Sequence, residues 1–240
     1  MLIAVLSDIH ANLMAFQAVL ADIDAYDVRA IYSLGDNVGY GPEPDKVIKL
    51  LQQRAIPSVL GNHELGLLSA DQRSWFNSHA RQALARTREL LSEESMRHIS
   101  HMPLAMVKYG CRMVHGFPPE SALTYLFVME DTDLAASFRR MREHICFVGH
   151  THELALVSWD GRTVEHSELE EHTQFAPTRR YIANIGSVGQ PRDGDNRAKY
   201  VLYDTVRREM TLRKVAYDIK TTAESIVEKG LPRQYADRLW

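Results

Sequence analysis

Five times in this 240-residue chain a short, mostly apolar run breaks off at a cluster of Asp, His or Asn. Leu2–Leu6 ends at Asp8 and His10, Val28–Leu34 at Asp36, and Ile56–Leu60 at Asn62, His63 and Glu64. Cys111–Val114 ends at His115, and Ile145–Val148 at His150 and His152. Runs of that length, bounded by turn residues, read as buried strands. Open α/β sheets keep their ligand sites just past the strand carboxyl ends, so the pattern asks for a fold that gathers these five loops at one place.

Between the runs the period changes. Leu13, Phe16, Val19, Leu20 and Ile23 recur at helical spacing after Asn12, which is placed as an N-cap. Val47, Ile48, Leu50 and Leu51 mark a second, short helix after the turn-rich stretch Val38–Pro44. Strand and helix alternating in this way argue for right-handed crossovers and a largely parallel sheet in the first half. From Gly66 to His101 strand signals vanish; Trp75, Phe76, Ala80, Ala83, Leu84, Leu90 and Leu91 form the expected buried stripe of a helical cap inserted beside the site.

The second half is richer in antiparallel signals. Ala105–Tyr109 and Cys111–Val114 meet at Gly110; Leu134–Met141 is helical; Leu154–Trp159 and Arg162–Ser167 flank Asp160-Gly161, a hairpin turn. Tyr181–Ile185, Lys199–Tyr203 and Met210–Val215 add strands, and Ile219–Lys229 a last helix stopped by Gly230. This count suits two sheets packed face to face with helices outside. The expectation is a single α/β domain over residues 1–240, with residues 66–101 as cap and 219–240 as C-terminal helix and tail.

Charge and composition exclude several classes. A formal charge of −3 sets up no basic field for extended nucleic acid, and 45% hydrophobic with 25% charged residues is ordinary globular composition. The two cysteines, Cys111 and Cys146, lie in apolar runs and read as buried reduced thiols. Met1–Leu6 is too short for a signal peptide, and no stretch has the apolar length of a membrane span, so a cytoplasmic location without membrane anchor is expected.

The strand-end residues are metal donors of one kind, oxygen and imidazole without thiolate. That set favours a catalytic Mn, Fe, Zn, Co or Ni site over a structural zinc knuckle or an all-oxygen calcium cage. Asp8/His10 and His150/His152 are each two residues apart, so in an extended segment each pair presents two donors to one face. A single histidine after a strand is ordinarily a capped or solvated residue. Five loops repeating the event are not.

The ordered series Asp8-x-His10, Gly35-Asp36, Gly61-Asn62-His63-Glu64, His115-Gly116 and Gly149-His150-x-His152 resembles the signature of the calcineurin-like metallophosphoesterase superfamily. The later Asn184-x-Gly186-Ser187 run makes the chain similar to its small bacterial and archaeal phosphodiesterase-like branch, over about residues 2–205. The resemblance implies the four-layer α/β/β/α fold, a two-sheet sandwich flanked by helices. It implies two divalent metal ions, one held by Asp8, His10 and His152 and the other by Asn62, His115 and His150, with Asp36 shared. His63 would be the catalytic histidine, acting as an imidazolium, and Glu64 would orient its ring.

Two such ions about 3.5 to 4 Å apart ready a bridging hydroxide for direct attack on phosphorus. Asp8 and Asp36 cancel only part of their charge, so the site keeps its pull on a phosphate. The expected substrate is a small phosphodiester, a phosphoanhydride of the dinucleoside polyphosphate type, or a phosphomonoester. A protein phosphatase and a catalytically silent metal-bound interaction module are the alternatives. Arg192, on the turn-rich loop Gln190–Asp195, is the candidate phosphate-binding arginine, or else the partner of Asp193 or Asp195. Tyr40 is a candidate for stacking on a ring, with turn packing as its ordinary reading. The oligomeric state stays open, with a homodimer through the cap or last helix as the candidate assembly.

Overall fold

Side chains of the central strands alternate between two buried faces, as the two-residue period of extended chain requires, which sorts the apolar ones into three layers. The computed structural model describes residues 1–240. The first half contains β1 (Leu2–Leu6), α1 (Leu13–Ile23), β2 (Ala30–Ser33) and α2 (Pro44–Gln53). Four helices follow, α3 (Asn62–Leu68), α4 (Ala70–Ser74), α5 (Ser78–Leu90) and α6 (Glu93–Ser100). Then come β3 (Ala105–Lys108), β4 (Cys111–Val114), α7 (Asp131–Arg140), β5 (Ile145–Val148), β6 (Leu154–Trp159), β7 (Val164–Ser167) and β8 (His172–Gln174). The chain finishes with β9 (Arg180–Ile185), β10 (Ala198–Asp204), β11 (Glu209–Val215), α8 (Ile219–Glu228) and α9 (Gln234–Asp237).

One sheet has the order β2-β1-β10-β11-β8 and the other β3-β4-β5-β9-β6-β7. Ile3 and Val5 of β1, Val201 and Tyr203 of β10, and Leu212 of β11 face Met113, Ile145, Phe147, Tyr181 and Ala183 of the other sheet, forming the layer between them. The opposite face of the first sheet, with Ala4, Leu6, Tyr200 and Leu202, packs on α1 and α2 through Phe16, Val19, Val47, Ile48 and Leu51. The outer face of the second, with Cys146, Val148 and Ile182, packs on Leu134 and Phe138 of α7. This is the expected arrangement of two sheets between helical layers. Both cysteines are free and buried.

Two expectations are corrected. The strands of the first half pair parallel with one another, but the sheet they join is not largely parallel: β1 lies parallel to β2, and its other neighbour is β10, antiparallel, with Ala4 opposite Leu202. Nothing local to β1 records a partner nearly two hundred residues away. The expected strand Ile56–Leu60 is reduced to a single parallel bridge between Ser33 and Ser58. Pro57 has no N–H to give, and Leu60 donates instead to the carbonyl of Pro103. The strand β8 was not foreseen; its three residues are exposed or half-buried and carry no apolar pattern.

The segment from residue 62 to 100 is helical as expected, and Ala80, Ala83 and Leu84 are buried. Trp75 is the exception. The indole assigned to the buried stripe is 77% exposed at the end of α4. Helices α8 and α9 pack Ile226, Tyr235 and Leu239 against Ala83 of α5, with Tyr40 at the edge of the cluster.

Candidate active site

The five loops converge. Asp8, His10, Asp36, His63, His115, His150 and His152 are all buried. Asp8, His10 and His152 form one group of potential metal donors; Asp36, His115 and His150 form another; and His10, Asp36 and His63 lie equally close together between them. In the first group His152 Nε2 is 3.2 Å from Asp8 Oδ1 and 3.0 Å from His10 Nε2. In the second, His115 Nε2 lies 3.2 Å from His150 Nδ1 and 3.1 Å from Asn62 Oδ1. Asp36 Oδ2 stands between, 3.3 Å from His115 Nε2 and 3.6 Å from His10 Nε2.

Backbone carbonyls decide which nitrogen of each ring faces inward. His10 Nδ1 donates to Val38 O at 3.1 Å, His152 Nδ1 to Gln190 O at 2.6 Å, and His115 Nδ1 to Leu34 O at 2.9 Å. His150 is reversed, with Nε2 donating to Leu123 O at 3.3 Å. A carbonyl can only accept, so the inner nitrogen of each neutral ring carries a lone pair. His10 and His152 therefore point two lone pairs at each other, and Asp8 Oδ1, buried beside them, accepts nothing. Groups of this kind repel or go unsatisfied unless a cation sits among them, and imidazoles anchored through the far nitrogen are what metal sites use. The residues fit divalent metal.

The family model of the calcineurin-like phosphoesterase superfamily domain matches residues 1–208. The chain belongs to the calcineurin-like phosphoesterase superfamily. It is 32% identical to an uncharacterized protein of Methanocaldococcus jannaschii, over 100% of this chain and 97% of that one. It shares 35% identity and a TM-score of 0.84 with the crystal structure of a metallophosphoesterase from Sphaerobacter thermophilus, covering 100% of this chain and 98% of that one. A 115-residue stretch, 46% of this chain, is 35% identical to 40% of a symmetrical bis(5'-nucleosyl)-tetraphosphatase of Delftia acidovorans.

Within this calcineurin-like site the backbone is held in unusual conformations. Asp8, His10, Asp36, His150 and His152 all have positive φ, between 47° and 70°. For residues with a Cβ this costs about 1 kcal/mol or more each, and such strain concentrates at functional sites. Close approach sets the glycines. A Cβ on Gly61 would lie 2.1 Å from Asp36 Oδ1, and one on Gly149 would lie 2.0 Å from Ser7 Oγ and 2.4 Å from Asp8 Oδ2. Gly61 itself has φ −94°, open to any residue, so it is needed for the carboxylate pressed against it and not for a turn.

Glu64 does something other than expected. Its Oε2 accepts from the backbone N–H of Asp36 and of Gly61, both at 2.9 Å. Its Oε1 accepts from Asn37 N at 2.7 Å and Asn37 Nδ2 at 3.1 Å. Every lone pair aimed at the protein is spent tying the Asp36 turn to the start of α3, and none orients His63. The carboxylate sits at the third residue of the helix, from which it reaches back to the N-cap amide. Asn62, His63 and Glu64 thus belong to a first helical turn and not to a free loop.

His63 Nδ1 has no partner, and its ring lies edge-on to His10, Tyr40 and Phe76. Burial pushes its pKa down to about 3, so the ring is neutral at neutral pH where the sequence reading expected an imidazolium. Burial likewise pushes His150 to about 3 and His152 to about 4. His115 goes the other way: against the cost of burial, Asp36 and Asp8 raise it to about 9. Burial works against the charge on Asp8 and Asp36 too, yet His152 and His115 hold Asp8, and His115 and His63 hold Asp36, well below the usual carboxylate range.

Arg192 is free of the carboxylates named as its possible partners. Asp193 Oδ1 is 2.9 Å from Lys199 Nζ, and Asp195 pairs with Arg197 and Lys214. The Arg192 backbone N–H donates to His152 O, and its Nη2 donates to Gln190 Oε1 at 3.2 Å, which keeps it beside the site. Tyr40 is held between His10 and Tyr235, each with ring centroids at 4.4 Å, so turn packing and not ligand stacking describes it.

The residues that brace the loops had no role assigned from sequence, Asn184 and Ser187 being noted there only as a late motif and Ser7 not at all. Ser7 Oγ donates to Asp8 Oδ2, Asn184 Nδ2 donates to Gly149 O and Thr151 Oγ1, and Ser187 Oγ donates to the backbone carbonyl of Asp8. For Ser7 the only signal was position, one residue past a strand end.

Proposed function

We propose that this chain is a dinuclear metal-dependent phosphoesterase that cleaves small phosphodiesters or phosphoanhydrides. The observation that carries it is the pair of donor groups sharing Asp36, in the first of which His10 and His152 turn lone pairs toward each other beside an unpartnered Asp8 Oδ1. Asp8, His10 and His152 would hold one ion and Asn62, His115 and His150 the other, with Asp36 placed to serve both. Such ions, when bound, supply Lewis acidity toward a phosphoryl oxygen and a nucleophile at neutral pH.

The chain's own residues do the rest. Two carboxylates among four imidazoles leave the loaded centre positive, so a phosphate anion is drawn in. Arg192, bound to no carboxylate, forks onto phosphoryl oxygens at the rim. His63 is neutral and turns Nε2 toward Asp36 Oδ2, 3.9 Å away, so it offers N–H to an oxygen entering beside that carboxylate. It thereby steadies the charge that grows on the phosphoryl or departing oxygen. The adjoining cavity of about 220 Å³, lined by Asn62, His150, Phe76 and Tyr125, suits a small substrate better than a phosphorylated protein loop. The name of the Delftia acidovorans relative supports a phosphoanhydride of the dinucleoside type.

The test is turnover of bis-p-nitrophenyl phosphate, p-nitrophenyl phosphate and diadenosine tetraphosphate by protein loaded in turn with Mn, Zn, Co and Ni. Diester or anhydride cleavage faster than monoester cleavage, abolished by chelator, is expected. No turnover of any of the three with any metal overturns the proposal.

A further inference from the structure

Beside the second donor group a cavity of about 220 Å³ opens on Asn62 and His150 and is walled by Gln72, Trp75, Phe76, Asn77 and Tyr125. Pockets for drug-sized ligands run to about 300–1,000 Å³, so this one has room for a single ring system and little more. A phosphate seated on the donor groups would place whatever it is esterified to at the mouth of this cavity.

Two features of the wall go unused by the protein. Gln72 Oε1 is shielded from solvent and has no hydrogen-bond partner. An oxygen buried in that way is normally paired, and it can be completed only by a donor. Trp75 is 77% exposed, and no other ring of the site lies against it. The other aromatic rings are taken: Tyr125 stacks on His150 at 3.8 Å and on Phe127 at 5.1 Å, and Phe76 is edge-on to His63. Asn77 spends its Oδ1 capping α5 through Ala80 N, leaving its amide N–H groups for a ligand.

We propose that Gln72 and Trp75 form a base-recognition subsite that takes a nucleobase bearing an exocyclic amino group, adenine in the first place. Trp75 supplies the stacking face, Gln72 Oε1 accepts from the amino group, and the Asn77 amide donates to a ring nitrogen. The helical stretch 62–100 is then what selects the substrate. This deepens the reading of the site as a phosphoesterase and rests on it for the position of the phosphate.

Equilibrium dialysis of the purified full chain against adenosine 5'-monophosphate, purine riboside 5'-monophosphate and ribose 5-phosphate tests it. The wild-type chain is expected to bind the adenine nucleotide about tenfold more tightly than its deamino analogue, since a lone buried acceptor is left behind in the second complex. In Gln72→Leu that ratio falls to about one, and Gln72→Glu, which keeps an acceptor oxygen, retains it. In Trp75→Ala the advantage of adenosine monophosphate over ribose 5-phosphate shrinks roughly tenfold. The wild-type ratio needs no variant, so a misfolded mutant does not shelter the proposal. A wild-type ratio near one, or a ratio unchanged in Gln72→Leu, overturns it. Because the readout is binding, a chain that hydrolyses nothing overturns the hydrolase reading without moving this ratio, and a chain that cleaves diesters with a ratio near one overturns this inference alone.

Discussion

Replacing Glu64 by Gln separates two accounts of a fully buried carboxylate. In the structure its two oxygens accept four N–H groups, from Asp36 N, Gly61 N, Asn37 N and Asn37 Nδ2. A carboxamide keeps one oxygen and so can serve two of the four. Turned to keep Asp36 N and Gly61 N, its oxygen leaves the NH2 facing Asn37 N and Asn37 Nδ2, two donors with no acceptor there. Each stranded buried donor costs about 1–3 kcal/mol, which gives a loss of about 2–6 kcal/mol. Removing the charge returns part of that, because burial and the neighbouring Asp36 already push the Glu64 pKa up. A net loss of about 2–4 kcal/mol is expected. With a urea m-value of about 3 kcal/mol/M the midpoint of metal-free protein shifts down by about 1 M. If instead Glu64 served only to orient the His63 ring, Glu64→Gln would keep its urea midpoint and lower kcat alone. A shift under about 0.2 M would refute the reasoning.

Loading with metal displaces a proton. His115 is raised to about 9 by Asp36 and Asp8, so without metal it is protonated at pH 7.5. Adding Zn or Mn should release about one proton per chain at pH 7.5 and almost none at pH 10, read on a pH-stat, and apparent affinity should climb with pH up to about 9; no release at pH 7.5 would contradict the placement of that ring. Acid acts through other groups: His63, His150 and His152 are held near 3 to 4 by burial, below the value of about 6.5 they regain on unfolding. Between those values the unfolded chain binds protons that the folded chain refuses, so metal-free stability should fall steadily from about pH 6.5 downward. Urea midpoints that stay level from pH 7 to 5 would argue that these rings are solvated. Gly149→Ala drives a Cβ to within 2.4 Å of Asp8 Oδ2 and should cost about 1–3 kcal/mol while weakening metal uptake at the Asp8 group. Calorimetric titration with Mn checks it, and wild-type affinity would show that the loop gives way.

What could be read in advance was whatever one strand and its exit loop record. The apolar runs placed β1, β4, β5 and β9 nearly residue for residue, the Asn12 cap started α1, and Asp160-Gly161 turned the hairpin of β6 and β7. Donor residues at strand ends named the members of the cluster, because a sheet carries its strand ends to one edge whatever the order of the strands. Trp75 was misjudged for the same reason: helical spacing marks the face a helix would bury, and an indole kept out for a ligand has the same spacing.

The sequence by itself determined which residues carry the site, since residue type and position along a strand are local properties of the chain. Only the tertiary structure decided what each one faces. It placed β10 beside β1, chose the inward nitrogen of each imidazole by the carbonyl behind it, spent Glu64 on the amides of Asp36, Asn37 and Gly61, and left Gln72 Oε1 without a partner. Hydrogen-bond partners and burial are set by atoms that arrive from elsewhere in the chain, and no window of sequence contains them.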